Sequence, residues 1–219
     1  MRPEIKICGL TLPEDAALAA DAGASYLGVV FAESRRRVDA GRARHVLDAA
    51  TRESVRRVGV FGEANADEIL RAADRARLDV LQLHAIANAP GVDYLRSRFD
   101  GAIWGVVRVR VERIVRSEYS AWEHADAVLV DAYDPVRLGG TGLRFDWERA
   151  ADSLSALRDS RPLVLAGGLT AGSVAAAIAA LHPDVVDVSS GVESAPGVKD
   201  HVRVADFVRA VQEAERELD

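Results

Sequence analysis

Cysteine is nearly absent from the 219-residue chain: Cys8 is the only one, so no intrachain disulfide can form and a reducing compartment is the expected setting. No stretch approaches the roughly 20 apolar residues that a membrane-spanning helix needs, and the first residues lack the apolar run of a secretory signal. A cytoplasmic protein without a membrane partner is therefore expected. An excess of positive charge is lacking too. With 34 acidic and 28 basic side chains the formal charge is −6, so no broad positive field exists for a phosphate backbone and nucleic acid is not an expected partner. Linkers rich in Ser or Pro and low-complexity tracts are missing, which fits one domain over residues 1–219.

What the chain does have is a 49% apolar composition arranged in a strict alternation. Short β-branched runs at 5–8, 26–31, 57–61, 80–83, 103–109, 127–130, 163–165 and 185–188 read as strands. Between them, stretches near 13–22, 40–50, 65–76, 91–98, 111–118, 147–157, 171–181 and 201–217 carry apolar residues at helical spacing. Thr11 with Glu14, Asn65 with Glu68, and Thr170 before an Ala-rich run read as helix starts. Consecutive parallel strands need a crossover helix, so the alternation implies a parallel sheet, either open and doubly wound or closed. Eight units favour closure into a compact, single-domain (β/α)8 TIM barrel of the α/β class. Pro135 and the glycines Gly139, Gly140 and Gly142 imply a long loop after the sixth strand.

Chemistry in such a barrel belongs at the C-terminal ends of the strands. Alternation puts Lys6 and Cys8 on the inward face of the first strand, where a cation beside the thiol favours the thiolate and makes Cys8 a candidate base or nucleophile. Asp131 follows the apolar run 127–130 and is a candidate general acid. Gly167 and Gly168, with Ser190 and Gly191, end the seventh and eighth strands, where backbone N–H groups can meet a phosphate. Gly140 and Thr141 form a second candidate close-approach element, and His84 stands at the end of the fourth strand. Ser34-Arg35-Arg36-Arg37 is the one dense basic patch, suited to clamping a carboxylate bidentately. The remaining histidines lack ligand spacing, so no metal site is expected.

These residues, in this order, resemble the phosphoribosylanthranilate isomerases of tryptophan biosynthesis. The resemblance is carried by Lys6-Ile7-Cys8-Gly9-Leu10-Thr11, Gln82-Leu83-His84, Leu129-Val130-Asp131, Gly139-Gly140-Thr141-Gly142 with Phe145-Asp146-Trp147, and Ala166-Gly167-Gly168-Leu169. It continues through Ser189-Ser190-Gly191-Val192-Glu193 and Pro196-Gly197-Val198-Lys199-Asp200. It implies an Amadori rearrangement of a phosphorylated small molecule without cofactor or metal, Cys8 as general base and Asp131 as general acid. Arg36 is implied to hold the anthranilate carboxylate, and the glycines after strands seven and eight the phosphate. The family's usual Ser-Pro-Arg-Tyr is here Ser34-Arg35-Arg36-Arg37, and Ala85 stands where a Gly is usual, so Arg35 and Arg37 stay open as carboxylate partners. Alternatives are another phosphosugar isomerase, of histidine-pathway type or bifunctional; a lyase using Lys6 as Schiff-base amine; and a ligand-binding paralogue. A monomer and a homodimer are both compatible with the sequence.

Overall fold

The computed structural model describes residues 3–84, 89–110, 113–114, 124–132, 147, 154 and 161–216. Eight parallel strands run β1 (Glu4–Ile7), β2 (Tyr26–Val30), β3 (Arg56–Phe61), β4 (Val80–Leu83), β5 (Ala102–Arg110), β6 (Ala127–Ala132), β7 (Leu163–Leu165) and β8 (Val185–Val188). Their order is β4-β3-β2-β1-β8-β7-β6-β5, and β4 also pairs with β5, which closes the barrel. Six helices are described: α1 (Pro13–Ala22), α2 (Ala40–Leu47), α3 (Ala66–Ala76), α4 (Ala89–Arg96), α5 (Val174–Leu181) and α6 (His201–Arg216). Trp147 and Leu154 are helical and pack on the core, while most of the expected 147–157 helix lies outside the described residues.

The strands read as continuous apolar runs because both faces are covered. Outward residues such as Ile5, Ile7, Leu27, Leu81, Val128 and Val186 join Ala16, Ala20, Val46, Ile69 and Phe207 of the helices in one buried layer. Inward residues Tyr26, Val58, Val80, Trp104, Leu129, Val164 and Val185 form a second cluster that plugs the lower barrel. There the Tyr26 and Trp104 rings meet edge to face with centroids 4.9 Å apart, and the Tyr26 hydroxyl donates to Glu4 at 2.8 Å. Each such fully buried side chain contributes about 1.5–3 kcal/mol, so the lower barrel is a packed core rather than a pore.

Local signals explain several boundaries. Asn65 caps α3 in a capping box: its side chain accepts from the Glu68 N–H at 2.9 Å, and Glu68 accepts from the Asn65 N–H at 3.2 Å. Thr11 does not cap α1. Leu12 holds that position with Pro13 behind it, and the Thr11 hydroxyl donates to the Gly197 carbonyl at 2.6 Å instead. Thr170 is likewise not the cap of α5, which begins after Ser173; the Thr170 N–H donates to the Ser173 hydroxyl oxygen in the preceding turn. The expected helix at 111–118 is contradicted where it is described, because Arg113–Ile114 is a strand antiparallel to β5. The alternation of Val and Arg over 107–110 has period two and carries β5 to Arg110, one residue past its expected end. The long loop after the sixth strand falls outside the described residues.

Candidate active site

The C-terminal ends of the strands surround an open-mouthed cavity. Cys8 reaches it from β1, Ser34 and Arg36 from the loop after β2, Gln82 and His84 from β4, and Asp131 from β6. The β7 loop adds Gly167 and Gly168, and the β8 end adds Asp187, Ser189, Ser190 and Gly191. Cys8 and Asp131, both buried, thus open onto one space from opposite parts of the strand order.

Strand pleating explains the floor of this cavity. Lys6, two residues below Cys8, points inward and is fully buried, and register places Asp187 of β8 beside it. Its ammonium lies 2.6 Å from Asp187 Oδ2. Burial works against the Lys6 charge, but the Asp187 carboxylate and the Cys8 sulfur outweigh it and hold the lysine above its ordinary value. The ammonium is paired with Asp187, and Lys6 is not among the residues that line the cavity, which argues against Lys6 as a Schiff-base amine. The expectation that Lys6 favours the Cys8 thiolate is not met: burial pushes the thiol up, and the Lys6 cation opposes the rise without cancelling it. Asp187 Oδ1 and Gln82 Oε1 are buried at the cavity and accept no hydrogen bond among the described residues. Gln82 Nε2 lies 3.0 Å from His84 Nε2.

Of the three consecutive arginines only Arg36 lines the cavity. Arg35 is exposed, and Arg37 is exposed and paired with Glu33 at 2.7 Å. The bidentate partner of Arg36 lies within the chain. Its Nε and Nη2 donate to the two oxygens of Glu193 at 2.8 and 2.7 Å. Glu193 is buried and also accepts from Lys199 Nζ at 3.0 Å; burial raises its pKa, but Arg36 and Lys199 hold the carboxyl below its ordinary value. Both Glu193 and Lys199 sit on a small antiparallel hairpin, Glu193–Ala195 with Val198–Lys199, that follows β8.

The β7 and β8 loops approach each other closely. A Cβ on Gly191 would lie 2.0 Å from the Leu169 carbonyl oxygen, so no larger residue fits there. Gly167 and Gly168 have φ of 92° and 65°, and Ser190–Val192 forms a single 3₁₀ turn. Apart from Leu169, these loops line the cavity with small residues, Gly167, Gly168, Ser189, Ser190 and Gly191.

The cavity therefore collects Cys8, Asp131, Arg36, His84, Gly167, Gly168, Ser190 and Gly191. Gly140 and Thr141 lie outside the described residues. Sequence reasoning gave no role to Asp187, nor to Glu193 and Lys199, although the last two fall in the motifs that carry the resemblance. One signal was available: single charges at Lys6 and Asp187 interrupt two otherwise apolar strands, and opposite charges in such positions are buried only when paired. Among the described residues no cluster of His, Cys, Asp or Glu could hold a metal, and no helix is long and apolar enough to cross a membrane.

Fold and site define a (β/α)8 barrel whose C-terminal mouth, the catalytic end of this architecture, carries a thiol, a carboxyl group and a half-buried arginine. A model of the family described as N-(5'phosphoribosyl)anthranilate (PRA) isomerase matches residues 5–210. The chain belongs to that family. An N-(5'-phosphoribosyl)anthranilate isomerase of Acidithiobacillus ferrooxidans is 42% identical over 214 residues, covering 95% of this chain and 97% of the relative. One of Pelobacter propionicus is 40% identical over 215 residues, covering 98% of each. The phosphoribosyl anthranilate isomerase structure of Thermotoga maritima superposes with a TM-score of 0.84 at 33% identity, covering 96% of this chain and 99% of that one. A further structure of such an isomerase, in complex with reduced 1-(o-carboxyphenylamino)-1-deoxyribulose 5-phosphate, gives 0.80 at 31% identity, with 96% and 99% covered.

Proposed function

We propose that the protein catalyses the Amadori rearrangement of N-(5'-phosphoribosyl)anthranilate to 1-(2-carboxyphenylamino)-1-deoxyribulose 5-phosphate in tryptophan biosynthesis. The observation that carries this reading is that a thiol, a carboxyl group, an arginine and two small-residue loops line one cavity in a chain of this family. Asp131 donates a proton to the furanose ring oxygen as the bond from C1′ to that oxygen breaks, and the nitrogen lone pair forms the Schiff base. Cys8, once it has given up its own proton, then removes the C2′ proton, and the electrons of that bond form the enaminol, which becomes the ketone as C1′ takes up a proton and the C2′ hydroxyl releases one. The reaction exchanges only protons with the protein, so one acid and one base facing the same sugar meet the chemical need. Arg36 holds the anthranilate carboxylate. The backbone groups of Gly167, Gly168, Ser190 and Gly191 hold the phosphate, which fixes the sugar between two anchored ends. A histidine-pathway isomerase is disfavoured because the first strand ends in Cys8, where an aspartate would be expected.

The test is conversion of freshly made phosphoribosylanthranilate by the purified protein, followed as loss of anthranilate fluorescence. Cys8→Ser is expected to lower turnover at least about a hundredfold while the reduced product analogue still binds. Near-normal turnover in that variant removes Cys8 from the role of base.

A further inference from the structure

A guanidinium has five N–H donors, and which edge it shows a ligand depends on what already occupies the others. In Arg36 the side edge, Nε with Nη2, is taken by both oxygens of Glu193. The end edge, Nη1 with the second Nη2 hydrogen, makes no hydrogen bond among the described residues. Glu193 is itself held on three sides: its Oε1 also accepts from Lys199 Nζ at 3.0 Å and from the Gly197 N–H at 3.2 Å. Lys199 is fixed in turn, its ammonium donating to the Ser189 carbonyl at 3.2 Å and its N–H to buried Asp15 at 2.8 Å. The stem of Arg36 passes over Gly9, where a Cβ would lie 2.6 Å from Arg36 Cδ. Two cations share one carboxylate, so the cluster keeps one positive charge beside the cavity.

We propose that Glu193, supported by Lys199, is a positioning residue that turns the free end of the Arg36 guanidinium into the cavity as a seat for an aryl carboxylate. This deepens the proposed function and rests on its reading of Arg36. Without Glu193 the long arginine side chain regains rotamer freedom and loses its bidentate partner, so the seat is no longer pre-formed. The effect belongs to ligands that bear the carboxylate and not to those that lack it. That dependence separates a positioning role from a general contribution to folding.

The experiment measures binding of two ligands by titration calorimetry. One is reduced 1-(o-carboxyphenylamino)-1-deoxyribulose 5-phosphate, and the other is the same molecule without the carboxyl group. Glu193→Gln is expected to weaken the first at least about tenfold and the second less than about twofold, with KM raised by the same factor and kcat held within about threefold. The double variant Arg36→Ala/Glu193→Gln is expected to bind no worse than Arg36→Ala alone. Equal losses for both ligands, or no loss for either, overturn the positioning role. If Arg36→Ala itself leaves the carboxylated ligand untouched, the Arg36 assignment in the proposed function fails and takes this inference with it. If Arg36→Ala weakens that ligand while Glu193→Gln does not, only the present inference fails. Lys199→Gln keeps the bidentate pair but removes one charge. It is expected to weaken the carboxylated ligand alone, by about threefold, and a loss shared by both ligands counts against the proposal.

Discussion

Carboxylates at the two ends of the barrel are used in opposite ways. At the N-terminal rim, Asp79, Asp126 and Asp184 each stand one residue ahead of an even-numbered strand and repeat one arrangement. Their N–H groups donate to the carbonyls of Arg57, Ile103 and Leu163 at 2.8, 2.8 and 2.9 Å. Their carboxylates accept the N–H of those same residues at 2.7 Å in all three cases. Ser25, ahead of β2, makes the backbone half of the pattern, donating to Ile5 at 2.8 Å. At the C-terminal mouth, Asp187 and Glu193 bind the side-chain cations of Lys6, Arg36 and Lys199, while Asp187 and Asp131 line the cavity. Rim carboxylates satisfy the ends of strands and tie odd to even neighbours. Mouth carboxylates hold charges in place beside a space that a ligand enters.

The difference is tested most severely at Lys6. Lys6→Met keeps the bulk but leaves the Asp187 carboxylate buried without its cation, and removing one partner of such a pair costs about 3–5 kcal/mol. Chemical denaturation is expected to show that loss at neutral pH. Lys6→Met/Asp187→Leu is expected to recover most of the stability. In the wild type the folded-state pKa of Lys6 is raised, so the pair's contribution is present below about 10.5 and is lost only as pH rises through the higher folded value. The same variants report on the thiol. Cys8 faces Lys6, Asp187, Lys199 and Arg36, with His84 and Asp131 lining the same cavity, and its raised pKa implies alkylation by iodoacetamide that accelerates with pH beyond 9. Asp187→Asn is expected to bring that rise to lower pH and Lys6→Met to higher pH. Since the chain has a single cysteine, mass spectrometry reads the result without ambiguity.

Next in size is Asp131→Asn. Turnover is expected to fall at least about a hundredfold, equivalent to about 2.7 kcal/mol of transition-state stabilisation, while stability changes by less than about 1 kcal/mol. Steady-state assays and thermal unfolding on one preparation check both halves. A variant that loses stability and keeps turnover would place Asp131 with the rim residues instead.

The eight strands were legible because a sheet buried on both faces leaves β-branched runs that nothing else explains, and three of them, 80–83, 163–165 and 185–188, match to the residue. Cys8, Asp131 and the β7 and β8 glycines were legible because the barrel assigns chemistry to one end of every strand. The hairpin bearing Glu193 and Lys199 was not, since two strands of three and two residues carry too little periodicity to register. Nor was the choice among Arg35, Arg36 and Arg37, which depends on Glu193, 157 residues further along the chain. Asp79, Asp126, Asp184 and Asp131 illustrate the limit most directly. All four flank apolar strand segments, and the sequence alone does not say which flank meets water and which meets a ligand.

The smallest effects belong to the rim itself. Asp126→Asn and Asp184→Asn keep an acceptor oxygen but lose the charge that strengthens the bond to a strand N–H, so each is expected to cost about 1 kcal/mol with turnover unchanged. Asp126 also binds the Arg96 guanidinium, so its variant should lose slightly more than that of Asp184. Asp79, whose bond to Arg57 is more exposed to solvent, is expected to lose least. Urea denaturation of the three variants in parallel gives the ranking. If any of them also lowered turnover, the two ends of the barrel would be coupled through the strands, and the division between a stabilising rim and a reactive mouth would fail at that strand pair.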